Sequence, residues 1–443
     1  MRDKVVFLFT LVTILFAGCE SDNAPVLEVS QDNFKDVSSD GGTLSFDITS
    51  SGPWTAKSNN SWCTLDIPSG TTNQTIKVTV RANKSSETRT ATINISGDGL
   101  LKKVSITQKG IFFNEEIAKN YHYVLPVIFH IFEDATSGSS SLIRSRVKAI
   151  IDACNDYYSN GWNNGSADMN LEFTLATTDP QGKALTEAGI ERIQVSNATM
   201  DCDDFMIDKN REYVKYLWDP DQYINIMVYP FKTDPKERTV TLGISHLPYT
   251  SKSNPYPGLI VPNSDIVPRF ENLAYPYCVS INKSFINAPA SIVGTYYNAS
   301  DPIATLSHEL GHYLGLHHSF NEGSQGELDF CEDTDFCEDT PPYNRAEYST
   351  FLSNYIPLDG QRIAPADYPK LMTRKNCKTG AESTPDNTMD YEYSWMNHFT
   401  ADQYTRIRYV LSHSPLIPGP KLASGTRTRS VSGMVDLPMR TMK

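Results

Sequence analysis

The chain has 443 residues, enough for two or three domains at roughly 100–200 residues each. Apolar residues make up 39%, aromatic residues 11% and charged residues 21%, a composition that excludes a disordered chain. Lys and Arg number 39 against 52 Asp and Glu, for a net charge of −13 with no basic stripe; this argues against nucleic acid and anionic membrane surfaces as partners.

Met1 to Lys4 is a short basic start, and Val5 to Ala17 is an almost unbroken apolar run. That run is roughly 13 residues, against about 20 for a bilayer span, so it reads as a secretory signal peptide over residues 1–18. Its end, Leu15-Phe16-Ala17-Gly18-Cys19, resembles a bacterial lipobox, although Phe16 stands where an aliphatic residue is usual. The resemblance implies cleavage before a lipidated Cys19, a tether over residues 19–25, and an exported protein anchored in the cell envelope. The outer membrane is the expected location, with either face open. Seven thiols remain: Cys63, Cys154, Cys202, Cys278, Cys331, Cys337 and Cys377. Export permits disulfides, and the six beyond Cys63 allow up to three bridges in 15 connectivities.

From Val26 to Gly110 the chain reads as all-β. Residues 44–48, 76–80 and 91–95 alternate apolar and polar side chains, and Gly41-Gly42, Ser51-Gly52-Pro53 and Gly97-Asp98-Gly99 punctuate them; short strands at this spacing predict an antiparallel sandwich. Trp54, Ser61-Trp62-Cys63, Ser69-Gly70, Asn83, Arg89 and the closing Val104 to Gly110 resemble the BACON family of immunoglobulin-like modules. The resemblance implies a spacer or a glycan-binding role, with Trp54 and Trp62 either core residues or sugar platforms.

Beyond Ile111 the pattern changes to α/β. Residues 123–132 form a continuous apolar run, as for a strand buried on both faces. Residues 141–158 carry Ile143, Val147, Ile150, Ile151 and Cys154 at helical spacing. Residues 171–176 and 223–229 read as strands and residues 203–218 as a helix, while residues 420–443 lack periodicity and read as a mobile tail.

Residues 308–318 contain the pattern HExxHxxGxxH: His308, Glu309, His312, Gly315 and His318. At this chain's residue usage, chance would produce it on the order of 10⁻⁵ times per chain. His308 and His312 at i and i+4 lie about 40° apart, so both imidazoles leave one helix face. Glu309 then lies beside the ligands as a candidate general base. Continued helix would carry His318 about 240° round from His312, so the helix must end, and Gly315 can adopt the left-handed conformation that ends it. Three neutral imidazoles with an open fourth position predict catalytic Zn²⁺.

This motif, with Ser319-Phe320, the acidic Cys-containing loop to Asp339-Thr340-Pro341, Asn387-Thr388-Met389-Asp390-Tyr391 and Phe399-Thr400-Ala401-Asp402-Gln403, resembles the pappalysin branch of the metzincin zinc peptidases. The four blocks stand in order over residues 308–403, and the resemblance implies an α+β catalytic domain over 111–419, with a cleft between a twisted mixed sheet and a smaller C-terminal subdomain. It implies that Met389 forms an apolar floor beneath the metal and that Tyr391 bonds the oxyanion of a tetrahedral intermediate. Leu242 to Pro248 looks like the edge strand that receives an extended substrate. Cys331 and Cys377 occupy the places of a family disulfide; the family's cysteine shortly after the Met-turn tyrosine is missing, since residues 392–398 hold none. The loop carboxylates, with Asp333, Asp335 and Asp339 foremost, correspond to a region where pappalysins can hold Ca²⁺, a solvated loop being the alternative.

The expected activity is zinc-dependent endopeptidase cleavage of protein or peptide substrates, with Glu309 as base. The alternative is a glycan-binding surface lipoprotein whose metal domain is weakly active or inactive. No cysteine-switch motif is present and residues 111–120 are too short for a conventional propeptide, so latency has no visible device.

Overall fold

The computed structural model describes residues 24–135, 144–233, 240–262, 266–321, 331–332, 334–356, 363–391, 393–423 and 433–443. The expected signal peptide, Cys19 and part of the tether lie outside the described residues, as does Asp333. Among the described residues no helix is long and apolar enough to cross a membrane.

The N-terminal domain is a two-sheet sandwich. One sheet orders Leu27–Val29, Gly42–Ser50, Gln74–Val80 and Cys63–Leu65; the other orders Asn33–Val37, Leu100–Gln108, Arg89–Gly97, Trp54–Ser58 and Ser69–Gly70. The alternation in the sequence decides which side chains meet between the sheets: Phe46, Ile48, Ile76, Val78, Ala91, Ile93 and Ile95 are all buried. Both tryptophans are core residues. Trp54 is 2% exposed and its indole N–H donates to the Thr72 carbonyl at 2.9 Å. Trp62 is 6% exposed, with the Arg89 guanidinium 4.2 Å above its ring.

The second domain is built on a mixed sheet. Tyr123–Glu133 lies at its centre, parallel to Leu171–Leu175, Ile190–Gln194 and Ile224–Tyr229. Ile224–Tyr229 pairs in parallel with Val279–Asn282, and Gly243–His246 then runs antiparallel to Val279–Asn282. The apolar run read at 123–132 is buried for the predicted reason: Val127, Ile128, Phe129, Ile131 and Phe132 are fully enclosed on both faces. The helix Arg144–Tyr158 lays Val147, Ile150, Ile151 and Cys154 against the core. It also reaches the histidine helix, where the Tyr158 hydroxyl donates to the Ser307 carbonyl at 2.8 Å.

Two expectations need correction. The helix predicted over 203–218 is two short pieces, Cys202–Ile207 and a 3₁₀ turn Val214–Tyr216. Between them the Asp208 carboxylate accepts the backbone N–H groups of Asn210 and Glu212, and Arg211 takes a φ of 65°, so a side chain replaces the helical acceptors. The segment 420–443 is not a mobile tail where it is described. Leu437 is 2% exposed and Thr441–Met442 adds a strand to the sheet, antiparallel to Gly243–His246. Of the cysteines, Cys331 and Cys377 form the disulfide that the family resemblance implied, while Cys63, Cys154, Cys202, Cys278 and Cys337 are buried free thiols.

Candidate active site

The helix Pro302–Tyr313 presents the motif. Asp301 caps it, its carboxylate accepting the N–H groups of Ile303 and Ala304 at 2.9 and 3.2 Å, and Pro302 opens it where no N–H is needed. It ends as the spacing predicted. Gly315 takes a φ of 95°, and the Leu316 N–H turns back to the Gly311 carbonyl at 2.9 Å. The chain then reverses and returns His318 to the same side as His308 and His312.

The three imidazoles converge. Their ligand atoms lie within 4.8 Å of one another, with His312 Nε2 at 3.0 Å from His308 Nε2 and 3.1 Å from His318 Nε2. The first of these is not a hydrogen bond. His308 Nδ1 faces the Thr388 carbonyl at 2.8 Å and His312 Nδ1 faces the Leu316 carbonyl at 2.8 Å. Each Nδ1 must therefore carry the proton, which leaves lone pairs on both Nε2 atoms pointing at one another. Burial pushes the His312 and His318 imidazolium pKa values well down, so protonation does not relieve the clash. A shared cation does. Bonds of about 2.0–2.1 Å in tetrahedral array place ligand nitrogens about 3.3 Å apart, close to the spacing seen.

Glu309 follows the first ligand and is 2% exposed. Its Oε2 has no hydrogen-bond partner among the described residues, and burial pushes the carboxyl pKa well up. A buried carboxylate oxygen without a donor marks a place where a proton-bearing group is missing. Gly243, the first residue of the edge strand, lies against it: a Cβ there would come within 2.6 Å of Glu309 Oε1. Glycine is thus required for the strand to approach the carboxylate this closely.

Met389 lies beneath the triad, fully buried, and a Cβ on Gly311 would meet its sulfur at 2.5 Å. The same turn braces two ligands. Its Thr388 carbonyl holds His308, and its Met389 carbonyl accepts the Ser319 N–H at 3.0 Å, directly after His318. Tyr391 stands with its ring centroid 4.5 Å from that of His318, and its hydroxyl donates to a main-chain oxygen of Lys443. Histidines, base, Met-turn and tyrosine are therefore brought together. His317, out of phase with the ligands, instead faces the Gly258 carbonyl at 3.0 Å.

The acidic loop is different. Asp335 is buried, with Oδ1 accepting the Cys337 N–H at 2.9 Å and Oδ2 the Thr340 hydroxyl at 2.8 Å. Asp339 accepts the Asp402 N–H at 3.0 Å. These two carboxylates order the loop, and among the described residues the histidine triad is the one group of three or more candidate metal ligands.

Two residues of the motif blocks, given no role from the sequence, support the site. Phe320 stacks on His318 with ring centroids 4.9 Å apart and planes 5° apart. Asp390 is buried inside the Met-turn, with Arg374 at 3.2 Å, the Tyr343 hydroxyl donating at 2.6 Å and the Tyr391 N–H at 2.8 Å. Both stand in blocks that carry the family resemblance, but their partners, His318 for Phe320 and Arg374 and Tyr343 for Asp390, are contacts that the sequence does not display.

Residues 286–412 match the peptidase family described as pregnancy-associated plasma protein-A, and residues 52–109 match BACON, described as a putative N-terminal binding domain. The extracellular metalloprotease 1 of Coccidioides posadasii is 33% identical over 104 residues, covering 23% of this chain and 28% of that protein. The xyloglucan-specific endo-β-1,4-glucanase of Bacteroides ovatus is 29% identical over 100 residues, 22% of this chain and 20% of that one. The chain thus spans less than a third of the length of either curated relative. A promirolysin mutant from Tannerella forsythia superposes over 68% of this chain and 86% of its own at 20% identity and a TM-score of 0.42. The chain carries a BACON domain followed by a domain of the pappalysin metallopeptidase family.

Proposed function

We propose that the protein is a zinc-dependent endopeptidase, exported and anchored to the cell envelope through a lipidated Cys19. The observation that carries the activity is the pairing of converging imidazole lone pairs with the buried Glu309 carboxyl, whose Oε2 has no donor among the described residues. Zinc held by His308, His312 and His318 would supply Lewis acidity and lower the pKa of a water toward 7. Glu309 takes the proton of the attacking water and delivers it to the leaving amine; burial suits its carboxyl to holding that proton. The Tyr391 hydroxyl donates to the developing oxyanion. The edge strand Gly243–His246 aligns an extended substrate through main-chain pairing, which explains recognition with little demand on sequence.

The N-terminal domain is proposed as a spacer between the membrane and the catalytic domain. Its two tryptophans are buried, so a glycan would have to bind without them. Retention of the whole chain on immobilised plant or host glycans, undiminished by Trp62→Ala, would reinstate a binding role at another surface.

The activity is tested by incubating the purified chain from residue 20 with a mixed peptide library, beside Glu309→Ala, with products read by mass spectrometry. Wild type is expected to cleave, with the variant slower by about 10²–10⁴-fold while retaining one zinc per chain. Equal cleavage by the two proteins would remove Glu309 as base.

A further inference from the structure

The outer edge of Gly243–His246, where a substrate strand is proposed to pair, is occupied by the chain itself. Thr441–Met442 runs antiparallel to it, in register His246 with Thr441 and Ser245 with Met442. Leu247 extends the ladder, its N–H donating to the Arg440 carbonyl at 2.9 Å. That register puts Lys443 beside Ile244 and next to Gly243, the residue that abuts Glu309. There a main-chain oxygen of Lys443 accepts the hydroxyl of Tyr391, the group assigned to the oxyanion. Anchors continue along the segment. The Tyr249 hydroxyl donates to the Pro438 carbonyl at 2.7 Å, Asn272 donates its side-chain amide to the Gly433 carbonyl at 2.7 Å, and Lys209 pairs with Asp436 at 2.6 Å. Leu437 and Met442 are 2% and 5% exposed, and Lys443 Nζ meets Asp203 at 2.6 Å.

We infer that residues 433–443 are an intramolecular ligand of the substrate groove, bound as the acyl-side half of a peptide would be, and that the enzyme is held inactive until they leave. This rests on the endopeptidase reading of the same site. Direction, register and the Tyr391 contact agree: an extended chain lies antiparallel to the edge strand with a main-chain oxygen on the oxyanion donor. A groove filled in this way for most of the time lowers the apparent kcat/KM by the fraction of molecules that are open.

The test compares the full chain with Met442→Pro and Lys443→Glu on a fluorogenic peptide, with bound zinc measured in each. The 440–247 bond makes 442–245 the next hydrogen-bonded pair of the ladder, so Pro removes a donor and the apolar anchor together. Met442→Pro is expected to raise kcat/KM about tenfold. Lys443→Glu, a milder change that sets like charges at Asp203, is expected to raise it about two- to fivefold. A peptide of residues 433–443 with the same C-terminal group as the full chain, added in trans, should restore inhibition of Met442→Pro competitively. Unchanged rates in both variants would overturn the inference and leave the endopeptidase standing. If no form cleaves, the activity proposal fails, and the inference is decided by binding of that peptide carrying a fluorophore. Binding to Met442→Pro and not to wild type supports occupation of the groove; equal binding, or none, overturns it.

Discussion

Gly315 links backbone conformation to metal geometry. Its φ of 95° is strained for any side chain, and a Cβ there would stand 2.6 Å from Val410 Cγ2. Its carbonyl is also held by the buried Arg406 guanidinium at 2.9 Å, so the turn cannot shift freely. Gly315→Ala is expected to cost about 2–3 kcal/mol in urea denaturation and to weaken zinc retention, because His318 follows three residues later. Loss of stability with zinc affinity unchanged would show that the turn does not position the third ligand. Asp390 and Arg374 make a second residue-scale case. Arg374→Met leaves a buried carboxylate without its cation and should destabilise by about 3–5 kcal/mol, whereas adding Asp390→Asn should recover part of that loss. A double-mutant cycle by thermal denaturation measures the coupling. The ligands and base were legible because helix geometry dictates their spacing; the Asp390–Arg374 pair was not, since contact across a fold leaves no periodic trace.

Elements were legible where one environment governs a whole segment. The central strand Tyr123–Glu133 is apolar throughout because both faces are covered, and the helix Arg144–Tyr158 repeats its apolar positions because one face is. Short elements fixed by single contacts were not. The break after Ile207 follows from one carboxylate, and a two-residue strand at Thr441–Met442 is too short to show alternation. The Met-turn braces the triad from below, its Thr388 carbonyl against His308 and its Met389 carbonyl on the Ser319 N–H behind His318, while lone pairs converge at 3.0 Å within the triad. Removing the metal should therefore loosen this junction. Chelation by 1,10-phenanthroline is expected to abolish cleavage and lower the stability of the catalytic domain by about 4 kcal/mol if zinc had been present at a thousand times its dissociation constant, with zinc restoring both. A melting temperature indifferent to chelation would mean that packing alone holds the helix against the turn.

At the scale of the whole molecule, the two domains meet through buried charge. The Ser61 N–H donates to Glu271 at 2.6 Å, the Ser61 hydroxyl donates to Asp219 at 3.1 Å, and Arg81 lies 3.6 Å from the same carboxylate. Burial, with the neighbouring Asp221 adding to it, pushes the Asp219 pKa up to about 7. The folded state therefore prefers the protonated acid. Its contribution to stability is intact below the unfolded value near 3.8 and is lost as pH rises through about 7. Asp219→Asn keeps an acceptor for Ser61 and cannot ionise. The variant should match wild type near pH 4, gain on it steadily up to about pH 7, and keep a constant lead above that. Lys421 is buried nearby, with its own pKa pushed down to about 7 by desolvation, but it is common to both proteins and drops out of the difference. Thermal denaturation of the two proteins from pH 4 to pH 8 measures the gap. A variant that falls behind wild type as pH rises would mean that Asp219 is ionised at the interface and that Arg81 outweighs the desolvation. The domain contact would then be an ion pair tightened by alkali, and the N-terminal module would hold the catalytic domain most firmly where the Asp219 acid is predicted to release it.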